Sequence, residues 1–355
     1  MIDWLQQTIT PPDRDYLQRA EQLQMQLTKP PGSLGRLESL AVRISGLQKS
    51  LIPDVSKTRI MIFAADHGIA QEGVSVFPQS VTAQMVCNFS AGGAAISVLA
   101  RQYNLPLQIV NLGLITELEQ LPDVISYPLG PGTENFLHQD AMSQNQFEQV
   151  FDFVRQKAEQ FKQEDVKLLI AGEMGIANTT TATALVCALE NLQPEQIAGK
   201  GTGLDDAGLK HKISVINQAL DWHKHQHQLG SAEEILRVLG GFEIAALCAA
   251  YLACAQQGII SLVDGFICTV AALFAIRINP ACQEWLIFSH LSDEAGHKKV
   301  LDLLDAQHLL DLNLRLGEAS GAALAWPLIQ SACLLHNQMA TFESASVSNQ
   351  SEKRK

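Results

Sequence analysis

The sequence predicts an α/β protein: a Rossmann-like, doubly wound parallel sheet with a smaller helical domain formed from both termini. Three observations carry this reading. Short apolar, β-branched runs alternate with longer segments of helical period through most of the chain. Of the 355 residues 47% are hydrophobic and 17% charged, which suits parallel strands buried on both faces. The segments at the two ends read as helices without intervening strands.

Two helical patterns at 13–28 and 34–49 flank TKPPGSLG (28–35), whose prolines and glycines break the helix. TRIMIFAADHG (58–68) reads as a buried strand that ends in polar residues. A helix follows near 80–101, a strand at 107–113, a helix at 144–163 and a strand at 167–171 that runs into GEMGIANTTT. Helices are then expected near 179–190, 205–226, 231–239 and 242–256, a strand at 259–263, a helix at 266–277 and a strand at 285–289. Helices near 293–304 and 319–337 complete the pattern. The expected division is 1–55 as N-terminal helices of the small domain, 56–305 as the α/β domain, and 306–343 as C-terminal helices completing the small domain and the active site. The polar stretch 344–355 has no periodicity and reads as a disordered tail. Parallel strands joined by right-handed crossovers place ligands at their carboxyl ends.

The 25 basic and 37 acidic residues leave a net charge of −12, a field that repels nucleic acid and anionic membranes as partners. A small phosphorylated substrate remains compatible, because helix-start N–H groups and nearby cations act locally; Lys29, Arg36, Lys200, Lys210, Lys212 and Arg315 are the cations to follow. The seven cysteines sit singly in apolar surroundings without a CxxC pair, as buried residues in a reducing compartment. No basic segment followed by an apolar run opens the chain, so a signal peptide is not expected and the localisation reads as cytoplasmic. In the apolar stretch 242–278, Glu243, the QQG at 256–258 and Asp264 leave pieces shorter than a bilayer span, read as a buried helix, strand and helix.

Five motifs carry candidate chemistry. Asp66 and His67 end a strand and can orient a substrate, support a helix or bind metal, with a structural hydrogen-bonded role favoured because no further ligand is spaced to join them. GEMGIANTTTATAL (172–185) follows a strand and opens a helix, so Gly172 and Gly175 permit close backbone approach and Asn178 to Thr180 present free N–H groups to an anion; an ordinary capped helix is the plain alternative. GKGTGLDDAGLKHK (199–212) can supply the second side of a phosphate cradle, with Lys212 facing away from Lys210. In LGGFE (239–243) and LVDGF (262–266) a glycine and a carboxylate meet at an element boundary, and Asp264 either reaches ribose hydroxyls or caps a helix. Glu318, among the small residues of RLGEASGAA (315–323), is a carboxylate in an apolar setting, suited to general acid or base work, with a helix-capping acid as the plain alternative. HKHQH (223–227) reads as a solvated helix face and not as a site.

KPPGSLGRLE (29–38), ADHGIAQEGV (65–74), GEMGIANTT (172–180), LGGFE (239–243), DGF (264–266), FSH (288–290) and RLGEASGAA (315–323), in this order, resemble the nicotinate-nucleotide:dimethylbenzimidazole phosphoribosyltransferase family over about residues 13–340. The resemblance implies a homodimer that needs neither metal nor cofactor and moves the phosphoribosyl group of nicotinate mononucleotide onto a benzimidazole-type base. It places the catalytic base on Glu318, with Glu173 as a second catalytic carboxylate. Phosphate and ribose contacts fall on Gly175, Ile176, Ala177, Asn178, Thr179, Thr180, Gly201, Gly203, Lys212, Asp264 and Gly265. Base contacts fall on Phe77, Pro78, Ser80, Gln84, Met85 and Leu316. Phe77 stands where other members have a serine before the proline, which leaves open whether dimethylbenzimidazole, adenine or another base is the acceptor. Two rival readings are a non-catalytic nucleotide-binding protein and a metal-dependent hydrolase built on Asp66 and His67. The presence of both Glu173 and Glu318 speaks against the first.

Overall fold

In the computed structural model, which describes residues 2–201, 203–227 and 229–348, the apolar runs become strands β1 (Thr58–Ala65), β2 (Leu107–Gly113), β3 (Val124–Ser126), β4 (Leu168–Met174), β5 (Ile260–Val263), β6 (Leu286–Ser292) and β7 (His308–Leu314). They form one sheet in the order β3-β2-β1-β4-β5-β6-β7, and every neighbouring pair is parallel. The order reverses between β1 and β4, which opens a crevice beyond the carboxyl ends of those two strands.

The helices among the described residues are α1 (Arg14–Gln26), α2 (Arg36–Gln48), α3 (Ser80–Ala91), α4 (Ala95–Tyr103), α5 (Gln144–Gln163), α6 (Asn178–Glu190), α7 (Asp206–Gln226), α8 (Ala232–Leu239), α9 (Phe242–Gln257), α10 (Phe266–Ile278), α11 (His297–Leu303) and α12 (Ser320–Gln338). The apolar stretch 242–278 is α9, β5 and α10, and nearly all of it is buried. α9 lies against β1, β4 and β5 and beneath α5, so it forms the centre of the core, not a membrane span. Residues 80–103 also have the hydropathy of a span, but Gly92, at φ 82°, ends α3 in a left-handed turn. The resulting helices of 12 and 9 residues are each too short to cross a bilayer. The single helix expected at 80–101 is therefore corrected to two.

Two strands escaped the sequence reading. β3 has three residues and none is buried; β7 is an edge strand of half-buried and exposed residues. Neither carries the continuous apolar run that marks a strand buried on both faces. Residues 306–343, expected to be helical, thus open with the last strand of the sheet. The two chain ends meet through α1 on α2 and α2 on α12. The Thr28 N–H donates to the Ala340 carbonyl at 3.0 Å and the Phe342 N–H to the Gln26 carbonyl at 2.9 Å. Of the stretch read as a disordered tail, residues 344–346 lie in a turn that begins at 342, and the Val347 N–H donates to the Phe342 carbonyl at 3.0 Å. Residues 349–355 lie outside the described residues.

Candidate active site

Glu173 is the penultimate residue of β4, paired with Phe63 of β1, so its side chain emerges at the switch point. Beside it the backbone of Gly317, Glu318 and Ala319 takes positive φ three times in succession, 80°, 59° and 61°. Outside glycine such a conformation costs on the order of 1 kcal/mol per residue and needs external support. Two strands supply it. A Cβ on Gly172 would lie 2.5 Å from the Ala319 nitrogen and 2.9 Å from the Glu318 carbonyl carbon, so only glycine lets this turn dock on β4. From the end of β5, Asp264 Oδ1 accepts the Ala322 N–H at 2.8 Å and so caps α12. Of the two roles open to Asp264, the cap is realised, for a helix 58 residues away in sequence instead of the one it precedes.

The turn projects Glu318 into a cleft. Its walls are Glu173 to Ile176, Asn178 and Thr179 between β4 and α6, Asp264 to Cys268 at the start of α10, Ser292 and Glu294 at and after the end of β6, and Arg315 to Glu318, with the predicted contact Ala177 not among them. α6, α10 and α12 all begin at this cleft. Their aligned peptide dipoles put partial positive charge where an anionic substrate would sit.

Glu318 and Glu173 are held away from the usual carboxylate range. Burial, followed by the charge of Asp264, pushes Glu318 up to about 7. Burial and then the charge of Glu243 push Glu173 up to about 8, against the opposing hydrogen bond from Asn178 Nδ2. Among the described residues Glu318 Oε2 and Asp264 Oδ2 have no protein hydrogen-bond partner, although both residues line the cleft.

On the far side of Thr179 the second glycine loop closes in. Lys212 is fully buried, and its Nζ donates to Thr179 Oγ1 at 2.9 Å and to the Gly199 carbonyl at 3.2 Å. Burial lowers this lysine to about 8, with Glu294 opposing the shift. Gly201, at φ 53°, brings its Cα so near that a Cβ would lie 3.1 Å from Thr179 Oγ1. Thr179, Gly201 and Lys212 therefore meet at the start of α6, as the cradle reading expects. Gly203 does not join them, being exposed with open space around its Cα; Lys210 is exposed. Thr180 is fully buried on the inner side of α6.

The base-contact candidates divide. Leu316 lines the cleft. Thr82 Oγ1 accepts the Ile176 N–H at 3.2 Å, which sets α3 beside the glycine loop. Yet Phe77, Pro78, Ser80 and Gln84 are exposed and Met85 is half-buried, and none of the five is in the cleft wall.

His67 Nε2 lies 2.7 Å from Glu243 Oε1, both side chains fully buried, and its Nδ1 lies 2.9 Å from Thr181 Oγ1. Asp66 Oδ2 accepts the Ile115 N–H at 2.9 Å. These contacts tie the end of β1 to α6 and α9, the structural role favoured from sequence. Sequence reasoning missed Ser292, Glu294 and the influence of Glu243 on Glu173; the carboxylate of LGGFE was visible, but its proximity across the sheet was not. HKHQH needs a correction. His225 is exposed, but His223 is fully buried and His227 is half-buried, because residues four apart share a helix face and this face of α7 turns inward.

A parallel sheet with a switch-point cleft, an anion cradle at a helix start and a buried carboxylate is the equipment of an enzyme that handles a phosphorylated sugar, and a family model described as phosphoribosyltransferase matches residues 9–347. Within that class, a nicotinate-nucleotide:dimethylbenzimidazole phosphoribosyltransferase of Pseudomonas fluorescens Pf-5 is 54% identical over 337 residues, 95% of each chain. The enzyme of that name from Azotobacter vinelandii is 52% identical over 348 residues, 98% of each chain. The crystal structure of the Thermus thermophilus enzyme superposes with a TM-score of 0.88 at 37% identity, covering 95% of this chain and 99% of that one. The chain belongs to the nicotinate-nucleotide:dimethylbenzimidazole phosphoribosyltransferase family.

Proposed function

We propose that this chain transfers the phosphoribosyl group of nicotinate mononucleotide to 5,6-dimethylbenzimidazole, giving α-ribazole 5′-phosphate and nicotinate for the lower ligand of cobalamin. The family membership supports the reaction. The observation that carries the mechanism is Glu318, a carboxylate at about 7 with an unpartnered oxygen in the cleft.

Nicotinate leaves a cationic nucleotide as a neutral pyridine ring, so its departure needs no proton. The demanding partner is the nucleophile. One benzimidazole nitrogen attacks C1′ from the face opposite the leaving group and inverts β to α, and the N–H on the other nitrogen becomes acidic as positive charge develops. Glu318 accepts that proton, and its hydrogen bond strengthens in the transition state. Glu173, at about 8, is largely protonated at neutral pH and spares Glu318 a second adjacent negative charge, dividing the two carboxyl groups into a neutral and a basic member. The 5′-phosphate rests on the start of α6, between Gly175 to Thr179 and the Gly201 loop, with Lys212 behind Thr179. Gly265 and the free oxygen of Asp264 face the ribose. Leu316 covers the base, and Phe77, Pro78, Ser80, Gln84 and Met85 are the further base contacts that the family membership implies. The enzyme is read as a cytoplasmic homodimer.

The test is to incubate purified protein with nicotinate mononucleotide and a panel of bases, following nicotinate release and the anomer formed. Stoichiometric nicotinate and α-ribazole 5′-phosphate with dimethylbenzimidazole are expected. Product only with adenine would keep the reaction and change the acceptor, and no product with any base would overturn the proposal.

A further inference from the structure

We propose that Asp140, His223 and His227 bind one divalent transition-metal ion of the zinc class, at a structural site remote from the cleft. The three offer ligand atoms that all lie within 4.8 Å of one another, and none of them lines the cleft. His223 lies in the last turn of α7 and His227 directly follows the helix, with ring centroids 5.6 Å apart and planes inclined by 21°. The segment before α5 is held opposite them, since the Ala141 N–H donates to the Val238 carbonyl at 2.9 Å and the Met142 N–H to the Arg237 carbonyl at 3.1 Å. Asp140 Oδ1 thereby stands 2.7 Å from His227 Nε2 and 4.0 Å from His223 Nδ1.

An independent observation is the state of His223. Its Nε2 lies 2.8 Å from the Phe136 carbonyl. A carbonyl only accepts, so Nε2 carries the hydrogen, and Nδ1 of the neutral ring presents a bare lone pair. That nitrogen is buried and has no hydrogen-bond partner among the described residues. It faces Asp140 Oδ1 at 4.0 Å, so two electron-rich atoms confront each other. A cation resolves it with the ring neutral, the form that ligates metal.

The surroundings have the outer-shell pattern of a metal centre. A backbone carbonyl accepts the far N–H of His223, Arg237 Nη1 donates to the other oxygen of Asp140 at 2.8 Å, and Glu234 Oε1 lies 3.9 Å from the far nitrogen of His227. Two imidazoles and one carboxylate select zinc-class ions over magnesium or calcium. Bonds of roughly 2.0–2.2 Å require His227 to swing off its hydrogen bond with Asp140, which its partly exposed ring allows. Water completes the coordination. The ion would fasten the end of α7 to α8 and to the 134–142 segment, without entering the reaction.

The test uses untagged full-length protein freed of metal with a chelator, then titrated with zinc or cobalt. One equivalent per chain is expected, with a melting temperature raised by several degrees, on the order of the shift tight ligands give, and a visible cobalt absorption characteristic of tetrahedral coordination. His227→Ala should weaken zinc binding about a hundredfold or more and abolish the cobalt band, with turnover unchanged. Asp140→Asn, which keeps an oxygen for Arg237, should do the same if His227→Ala folds poorly. Failure to take up either ion, or uptake that survives both substitutions, would overturn the site.

Discussion

Glu318→Gln is expected to bind nicotinate mononucleotide about as tightly as the parent enzyme while losing roughly 10²- to 10⁴-fold in turnover, the range a general base contributes. The amide keeps the size of the side chain and cannot accept the benzimidazole proton. Phosphate binding is expected to be unaffected because the groups proposed to hold it, Thr179, Gly201 and Lys212, contact one another and not Glu318. Single-turnover rates with calorimetric nucleotide binding separate the two effects, and turnover within about tenfold of the parent would remove Glu318 from the chemistry. The same substitution has a stability signature. Folding raises this carboxyl from its ordinary value to about 7, so its contribution is fully present below the unfolded pKa and is lost as pH climbs through the folded one. Above pH 7 the glutamine variant should therefore be more stable, by up to about 3 kcal/mol. Denaturant melts at pH 5 and pH 8 measure the difference.

Lys212→Met should move affinity and stability in opposite directions. An ammonium buried to 0% exposure and lowered to about 8 by desolvation is held at a cost to folding, which an apolar side chain of similar length avoids. The substitution also removes the buried cation at the cradle and frees Thr179 Oγ1 from its contact at 2.9 Å. The KM for nicotinate mononucleotide is expected to rise about 10- to 100-fold, on the order of what one hydrogen bond from a charged donor contributes, because the cradle loses its buried positive charge and its hold on Thr179, with a much smaller change in kcat. The melting temperature should hold or rise. A fall in stability with unchanged KM would make Lys212 a structural residue.

Much of this was legible from residues alone, for physical reasons. β1, β4 and β5 are buried on both faces, so their apolar runs stand out, and the glycines of GEMG and RLGE mark turns that only a residue without Cβ permits. β7 and β3 were missed because an edge strand needs no such run, and α3 and α4 were merged because a two-residue glycine break interrupts an apolar pattern too briefly to register. Long-range partners were not legible. Asp264 capping α12, Glu243 pressing on Glu173, and Asp140 facing His223 all join residues far apart in sequence, and only the folded chain brings them together. The histidines of HKHQH were misread because local polarity says nothing about which way a helix face points.

The central claim is that Glu318 works as a base because the fold lifts it close to neutrality. Its most direct test is the pH dependence of kcat/KM, measured side by side for the parent enzyme and the residual activity of Glu318→Gln. The expected profile rises with a slope of one to a plateau above an apparent pKa of about 7 in the parent, and this limb is absent in the variant. The same limb in both enzymes would assign the titration to another group and contradict the account.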